Sequence, residues 1–304
     1  MRLPLLLKIL TLSLLASSCE SEAQEPVYQG ITYPEEKQDG TLRILAIGNS
    51  FSLDMAAHLP RLVSDAKADS VVVAVASVSG TDLAYHRRHL TAYDATYTFA
   101  TSTAGEPLRD DTVKRSLPHC LDFADWDVIV IQQLSAYSGR YETIRPHFAT
   151  IVRLLKSAHP RALIAWQMTW AYASYYQKSD FNAYDNDRQK MEDAIERATR
   201  LVGQSGLVDI IVPTGRAIAE ARRQNVDTTG RELSRDGRHL SVGAGRYVAA
   251  CCAWEAILAP LVGATLEELP TDTITLGRMH VTSQNCHALR KLASDALSNF
   301  SPAP

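Results

Sequence analysis

The stretch Ile44-Leu45-Ala46-Ile47-Gly48-Asn49-Ser50-Phe51-Ser52 decides how this chain folds. Its first four residues are apolar, as in a parallel strand that is covered on both faces. A helical pattern follows at once, with apolar residues spaced along one face: Met55, Leu59, Leu62, Val63 and Ala66. A strand that passes directly into a helix puts Ser50 at the carboxyl edge of a sheet, where α/β folds bind ligands. Ser50 is there either as a nucleophile or as a helix cap.

Candidate strands and helices alternate along the rest of the chain. Strands are predicted over five segments: Leu42–Ile47, Ser70–Ala76, Val128–Ile131, Ala162–Gln167 and Val208–Val212. Helices are predicted over six: Leu53–Ala68, Ile144–His159, Asp187–Gln204, Thr214–Gln224, Ala244–Leu261 and Ser283–Ser298. This alternation predicts an α/β fold, a three-layer α/β/α sandwich around a five-stranded parallel sheet of flavodoxin-like order. Tyr93–Asp111 interrupts the alternation, either as a short hairpin or as a loop.

Length and charge narrow the classes of function. The chain has 304 residues and a net charge of -3, and we expect one domain over residues 41–304. Its basic residues are scattered, so no nucleic-acid partner is expected. No stretch of this domain is expected to span a bilayer. No histidine and carboxylate cluster has the spacing of a metal site, and no cofactor is expected.

The cysteines of the domain are Cys120, Cys251, Cys252 and Cys286, and they fit no zinc motif. Cys286 could form a disulfide with one of the adjacent pair, and buried free thiols are the alternative.

The N-terminus is predicted to be a targeting segment over residues 1–25. Two basic residues accompany the apolar stretch Leu3–Leu15, which gives way to Ala16-Ser17-Ser18-Cys19. Small residues before Cys19 resemble the lipobox of bacterial lipoproteins, in which the cysteine is acylated, although Ala16 stands where leucine is preferred. An ordinary signal peptide is the alternative. Residues 26–40 are predicted to form a tether. We therefore expect an exported protein, an outer-membrane or cell-surface lipoprotein or a periplasmic one, with membrane contact through the lipid anchor only.

A second informative motif, Asp236-Gly237-Arg238-His239-Leu240-Ser241, precedes the last two predicted helices. A carboxylate three residues before a histidine can accept a hydrogen bond from the ring Nδ1–H. That contact fixes the tautomer and stabilises the imidazolium. With Ser50 in reach, Ser50 would attack, His239 would carry the proton and Asp236 would orient the ring. A capping aspartate beside a surface histidine is the alternative.

Taken together, these blocks resemble the SGNH/GDSL hydrolase superfamily. They are Gly48-Asn49-Ser50 after the first strand, Gly80 after the second, Gln132-Gln133 after the third, and Asp236 with His239 near the end. More narrowly, the chain resembles a branch filed as a domain of unknown function in bacterial secreted lipoproteins. That likeness rests on further short matches in order: Trp126-Asp127-Val128, Gln167, Thr169–Ala173 and Val212–Gly215. The resemblance runs from about Thr41 to the last helices.

The resemblance implies an SGNH fold and an oxyanion hole. The donors would be the N–H groups of Ser50 and Gly80 and the side-chain amide of Gln133, with Gln132 as the other candidate. The superfamily usually has asparagine at this last position, and glutamine carries the same donor on a longer arm. It usually has aspartate where Asn49 stands. Gly80 would suit its role because a residue without Cβ lets the N–H approach the substrate closely.

The resemblance also implies an activity. We expect an exported serine esterase that removes acetyl or other small acyl groups from carbohydrate, so its partner would be a small-molecule or polysaccharide ester. The candidate substrate-binding residues are Trp170, Tyr172 and Asp82. Trp170 and Tyr172 follow the fourth strand, where their rings would either contact a sugar or pack beneath a loop, and Asp82 would either line the pocket or lie on a solvated helix face. The alternative is a carbohydrate-binding lipoprotein that keeps the fold without efficient chemistry, which Asn49 and the glutamine pair would favour. The sequence predicts no oligomeric state.

Overall fold

The computed structural model describes residues 40–227, 229–271, 277 and 280–300. The predicted targeting segment with Cys19, and the predicted tether up to residue 39, lie outside the described residues.

A mixed sheet forms the centre of the molecule. Its strands are β1 (Leu42–Gly48), β2 (Val71–Ser77), β3 (Thr98–Thr103), β4 (Arg109–Asp110), β5 (Val128–Ile131), β6 (Leu163–Gln167) and β7 (Ile210–Val212). They lie in the order β4-β3-β2-β1-β5-β6-β7. From β2 to β7 all neighbours are parallel, whereas β3 is antiparallel to β2 and β4 to β3. All five predicted strands are present and form the parallel part in flavodoxin-like order.

The prediction of five strands is wrong, because the sheet has seven. The two additional strands come from Tyr93–Asp111, which forms a hairpin that extends the sheet beyond β2. Their sequences, Thr-Phe-Ala-Thr-Ser-Thr and Arg-Asp, lack the continuous Val/Ile run of the central strands. A strand at the edge of a sheet tolerates polar residues that a central strand would not.

Helices cover the sheet. They are α1 (Ser50–Ala56), α2 (Leu59–Asp65), α3 (Leu83–His89), α4 (Leu117–Asp122), α5 (Tyr141–Ala158), α6 (Arg188–Gln204), α7 (Thr214–Arg223), α8 (Ala244–Ala253), α9 (Ala259–Val262) and α10 (Ser283–Ser298). The chain moves from β1 to β2 in one direction along the sheet and from β5 to β7 in the other. Right-handed crossovers therefore place α1 on one face and α5 and α6 on the opposite face.

The predicted helix Leu53–Ala68 is two helices, α1 and α2. The break falls at Ala57 and His58, and Pro60 stands in the first turn of α2, where its missing N–H costs no hydrogen bond. The sequence analysis did not predict α3 and α4. Both have seven residues or fewer, and side-chain caps from Asp82 and Ser116 begin them.

One long apolar helical segment, Ala244–Val262, consists of α8, a π-helical turn at Trp254–Leu258 and α9. By length and composition it could cross a membrane, contrary to the expectation from the sequence. Its residues are mostly buried, and α8 packs against α1, α7 and α10. It is therefore a core helix of this fold.

The four cysteines of the domain are buried free thiols, so no disulfide links them in this structure. Cys286 Sγ lies 3.3 Å from Tyr247 Oη. Burial raises the pKa of the Cys120 thiol to about 12.

Candidate active site

Ser50 is the first residue of α1, but it is not the cap. Asn49 caps the helix, because its side-chain oxygen accepts a hydrogen bond from the Phe51 N–H at 2.9 Å. The Ser50 hydroxyl is left for another partner, and it lies 2.9 Å from Nε2 of His239, 189 positions away in the sequence. The sequence allows two roles for Ser50, nucleophile or helix cap, and the capping role is taken by Asn49.

Asp236 holds His239 by both its side chain and its backbone. His239 Nδ1 lies 2.6 Å from one carboxylate oxygen of Asp236. The other oxygen accepts hydrogen bonds from the N–H groups of His239 at 2.7 Å and Arg238 at 2.9 Å. Partial burial opposes ionisation of this carboxyl, but these hydrogen bonds outweigh it and lower the pKa of Asp236 to about 2. The carboxylate is thus charged near neutral pH and favours the tautomer with the proton on Nδ1, which leaves Nε2 to accept a proton from Ser50.

Hydrogen bonds within the loop that carries His239 connect its two ends. Ser234 and Leu240 form an isolated antiparallel bridge across it. The carbonyl oxygen of His239 accepts hydrogen bonds from the Ser234 hydroxyl at 2.8 Å and the Arg235 N–H at 3.0 Å. Gly237 adopts a φ of +86°, and a Cβ there would lie 2.9 Å from the ring of Tyr176. Only glycine fits this turn without strain.

Trp170 lies beneath the site. Its ring is fully buried and stacks on Phe51, with centroids 4.1 Å apart and planes 4° from parallel. Its indole N–H donates to the carbonyl oxygen of Arg238 at 2.8 Å. Trp170 therefore supports the residue after Ser50 and the residue before His239, and it does not offer the exposed face that substrate binding requires.

The other two predicted substrate residues also have structural partners. Tyr172 is fully buried, and its hydroxyl lies 2.9 Å from Ser135 Oγ and 3.0 Å from an oxygen of Asp180. Asp82 caps α3 by accepting a hydrogen bond from the Tyr85 N–H at 2.9 Å. Both aromatic rings are buried, which favours the alternative that Trp170 and Tyr172 pack beneath a loop over contact with a sugar.

The aromatic residues at the rim are Tyr175 and Tyr176, which the sequence analysis did not single out. Their rings flank Gly237 in the histidine-bearing loop. Tyr175 is 41% exposed and Tyr176 is half-buried. They follow the same strand as Trp170, and only the tertiary packing separates the buried aromatic residues from the exposed ones.

The turn that carries Gly80 is tied to the Ser50 turn. The Val78 N–H donates to the Gly48 carbonyl at 3.0 Å, and the Asn49 amide donates to the Thr81 carbonyl at 3.0 Å. Asn49 therefore acts as an acceptor towards the helix and as a donor towards this turn. An ionised aspartate could not donate in this way, so the departure from the superfamily pattern at this position has a structural role.

Gly80 has a φ of +70°, in the left-handed region. A Cβ at this position would meet nothing within 4 Å. The glycine is therefore favoured by the backbone conformation, and its close approach to a substrate stays a prediction.

The two glutamines differ in their partners. The side-chain oxygen of Gln133 accepts from the N–H groups of Leu83 at 3.0 Å and Leu134 at 2.8 Å. Its amide nitrogen lies 3.2 Å from both the carbonyl and the hydroxyl oxygen of Thr143. This amide joins α3 to α5, which contradicts the prediction that favoured Gln133 as the oxyanion donor.

Gln132 is fully buried, and neither amide atom has a hydrogen-bond partner among the described residues. Its side chain packs beside Gly48, where an added Cβ would lie 2.6 Å from Gln132 Nε2. Of the two glutamines, only Gln132 keeps an uncommitted donor close to the Ser50 turn. Within the described residues, no group of three or more His, Cys, Asp or Glu side chains is arranged to hold a metal ion.

The comparisons with known proteins agree with this architecture. A domain of unknown function, DUF4886, matches residues 43–267. The structure is similar to that of a DUF4886 family protein from Bacteroides uniformis, with a TM-score of 0.69, 25% sequence identity, and coverage of 82% of this chain and 94% of that one. No curated protein matches significantly.

More distant likenesses are found among solved structures. A candidate SGNH hydrolase from Slackia heliotrinireducens has a TM-score of 0.46, 21% identity, and coverage of 71% of this chain and 99% of that one. A catalytic mutant of Axe2, an acetylxylan esterase from Geobacillus stearothermophilus, has a TM-score of 0.48, 14% identity, and coverage of 75% and 97%. The predicted resemblance to a branch of unknown function is confirmed: the family match spans most of the chain, and the protein belongs to the DUF4886 family.

Proposed function

We propose that this protein is a serine hydrolase of the SGNH type that cleaves ester bonds. The observation that carries the proposal is the 2.9 Å contact between Ser50 Oγ and His239 Nε2. On the other side of the ring, His239 Nδ1 lies 2.6 Å from a carboxylate oxygen of Asp236. A hydroxyl, an imidazole and a carboxylate in this order form the arrangement by which serine hydrolases activate their nucleophile.

The first half of the reaction forms an acyl-enzyme. Ser50 Oγ attacks the ester carbonyl carbon while its proton passes to His239 Nε2. The backbone N–H groups of Ser50 and Gly80 would stabilise the negative charge on the carbonyl oxygen. The intermediate collapses when the C–O bond to the leaving group breaks, and His239 returns the proton to the departing alkoxide.

The second half reverses these roles with water as the nucleophile. His239 takes a proton from the water, which attacks the Ser50 ester, and then returns that proton to Ser50 Oγ as the acid leaves. Asp236 stays ionised throughout and stabilises the imidazolium twice in each cycle.

We propose an acylated carbohydrate as the substrate, with an acetyl or another small acyl group. Exposed Tyr175 and half-buried Tyr176 stand at the rim next to Gly237, where the flat face of an aromatic ring could contact a sugar ring. The predicted export of the protein favours a polysaccharide found outside the cell.

Hydrolysis of 4-nitrophenyl acetate tests the activity. The wild-type protein should turn over, and Ser50→Ala should lose at least about 10³-fold in kcat/KM. Ser298→Ala, at the exposed end of α10, is the matched control and should behave as wild type. Equal turnover by wild type and Ser50→Ala would contradict the proposal. A folded wild-type protein without turnover, but with affinity for polysaccharide, would favour the binding-protein alternative.

A further inference from the structure

Three polar residues four positions apart all contact the segment 235–246: Ser50, Asp54 and His58. Ser50 contacts His239, and the His58 ring Nε2–H donates to the carbonyl oxygen of Val242 at 2.8 Å. Asp54 lies between them, one helical turn after Ser50 on α1. Residues four apart share one face of a helix, so α1 presents Ser50 and Asp54 to the residues around His239, and His58 follows in the break between α1 and α2.

Asp54 is a fully buried carboxylate with a complete set of donors. Arg235 Nη1 lies 2.9 and 3.1 Å from its two oxygens, and Arg246 Nε lies 2.8 Å from one of them. The N–H of Leu240 donates to it at 2.9 Å. Because the carboxylate is buried, it depends on these donors to offset its desolvation.

The contacts of Asp54 fix the backbone beside His239. Leu240 directly follows His239, and its N–H is held by Asp54. Arg235 also donates to the Leu240 carbonyl, so both polar groups of this residue are held by the same cluster. Asp236 accepts the N–H of His239 itself, and the Ser234–Leu240 bridge joins the residues on the two sides of the histidine.

We infer that Asp54 is a positioning residue that sets the distance between Ser50 and His239, an inference that rests on the proposed function. Ser50 and Asp54 belong to one short helix, so the carboxylate joins the histidine-bearing loop directly to the helix that carries the nucleophile. Displacing such a group by about 1 Å can reduce the rate about 10²-fold.

A purely structural role is the competing explanation, because the contact of Asp54 with Arg246 also connects α1 to α8. Asp127 provides a matched control. It is a buried aspartate that accepts a hydrogen bond from the Arg43 N–H at 2.8 Å, and it lies near the start of β1, at the opposite edge of the sheet from Ser50.

The test compares Asp54→Asn with Asp127→Asn in 4-nitrophenyl acetate kinetics and in thermal unfolding. Both substitutions should lower the melting temperature. Only Asp54→Asn should lower kcat, by about 30-fold or more, with KM changed less than about twofold. The inference is overturned if folded Asp54→Asn keeps its kcat, or if both variants lose kcat only in proportion to their unfolded fraction.

A second variant covers the case in which Asp54→Asn does not fold. Arg235 is 34% exposed at its side chain and contacts both Asp54 and Leu240. Arg235→Met should remain folded and lose kcat by about tenfold, whereas an unchanged kcat would count against the inference.

Crystal structures separate this inference from the proposed activity. In wild type, Ser50 Oγ and His239 Nε2 should lie in hydrogen-bond contact, and in Asp54→Asn or Arg235→Met that contact should be broken. If wild type is inactive but has this contact, and the variants lack it, the esterase is refuted and the positioning role stands. An unchanged distance in the variants would refute the positioning role, whatever the activity.

Discussion

Two loops flank Ser50, and they differ in how their polar groups are bonded. In the histidine loop, residues 234–240, the side chains of Ser234, Arg235, Asp236 and His239 all have hydrogen-bond partners. In the glutamine turn, residues 132–134, one amide is wholly committed to joining α3 and α5, and the other is buried without a partner among the described residues.

This difference indicates which half of the proposed chemistry is preorganised. The histidine loop already has the geometry of a proton-transfer system, held by short-range contacts within the loop and by Asp54 from α1. The glutamine turn offers no such arrangement, so the proposed mechanism assigns most of the oxyanion stabilisation to the backbone N–H groups of Ser50 and Gly80. Substitutions in the two loops should therefore have unequal effects on the rate.

Among the residues of the two loops, the largest effect is expected from the histidine. His239→Ala removes the base that contacts Ser50, and kcat/KM for 4-nitrophenyl acetate should fall at least about 10⁴-fold. His119→Ala, an exposed histidine on α4, is the control and should keep its activity. A residual rate above a tenth of wild type would remove the contrast between the two loops.

Asp236→Asn should lower kcat by about 10²–10⁴-fold, because an amide favours the wrong tautomer of His239 and does not stabilise the imidazolium. The KM should change little. A loss of less than about threefold would show that the backbone alone positions the ring.

The ionisation of Asp236 should also make the free energy of unfolding depend on pH. Hydrogen bonds lower the pKa of Asp236 from 3.8 to about 2 in the folded protein. A lowered folded-state pKa gives stabilisation that is present above the unfolded-state pKa of about 3.9 and is lost as the pH falls towards about 2. Unfolding of wild type and Asp236→Asn should therefore differ more at pH 6 than at pH 2, and a gap independent of pH would count against this assignment.

In the glutamine turn, one substitution should mainly lower the free energy of unfolding and the other should mainly lower kcat. Gln133→Ala leaves the N–H groups of Leu83 and Leu134 without their acceptor and should cost about 1–3 kcal/mol in the free energy of unfolding, with kcat nearly unchanged. Gln132→Ala should cost less stability and show the larger effect on kcat of the two. A fall of about 10²–10³-fold in kcat for Gln133→Ala, at constant KM, would instead restore Gln133 as an oxyanion donor.

The smallest effect is expected beneath the histidine loop. Trp170→Phe keeps a ring that can stack on Phe51 but removes the donor to the Arg238 carbonyl, which should cost about 1 kcal/mol of stability. A fewfold loss of kcat should accompany it. Trp254→Phe is the control, since that buried indole begins the π-helical turn after α8 and donates to the Ala264 carbonyl at 2.9 Å, not to the histidine loop. Equal kcat in both variants would show that Trp170 does not support the loop.

Much of the central fold followed from local sequence patterns. The five parallel strands are continuous apolar runs, and Ser50, Asp236 and His239 occur in short motifs whose geometry depends on neighbours in the sequence. Sequence alone does not distinguish the hairpin β3–β4 from a loop because its strands are polar, and α3 and α4 are too short to show a helical period.

The roles of individual side chains needed the tertiary structure. Trp170 and Tyr172 differ from Tyr175 and Tyr176 in burial, which residue type does not reveal. Asp54 looks like an ordinary helical aspartate until Arg235 and Arg246, about 180 and 190 positions away, are seen to surround it.

The proposed nucleophile is tested most directly by an aryl fluorophosphonate, which forms a stable adduct only with an activated serine, followed by intact mass and peptide mapping. Wild type should carry one adduct, on the peptide that contains Ser50. Ser50→Ala should carry none, and His239→Ala should react at least about 100-fold more slowly. A folded wild-type protein that stays unlabelled, or that reacts at the same rate without His239, would contradict the proposed triad.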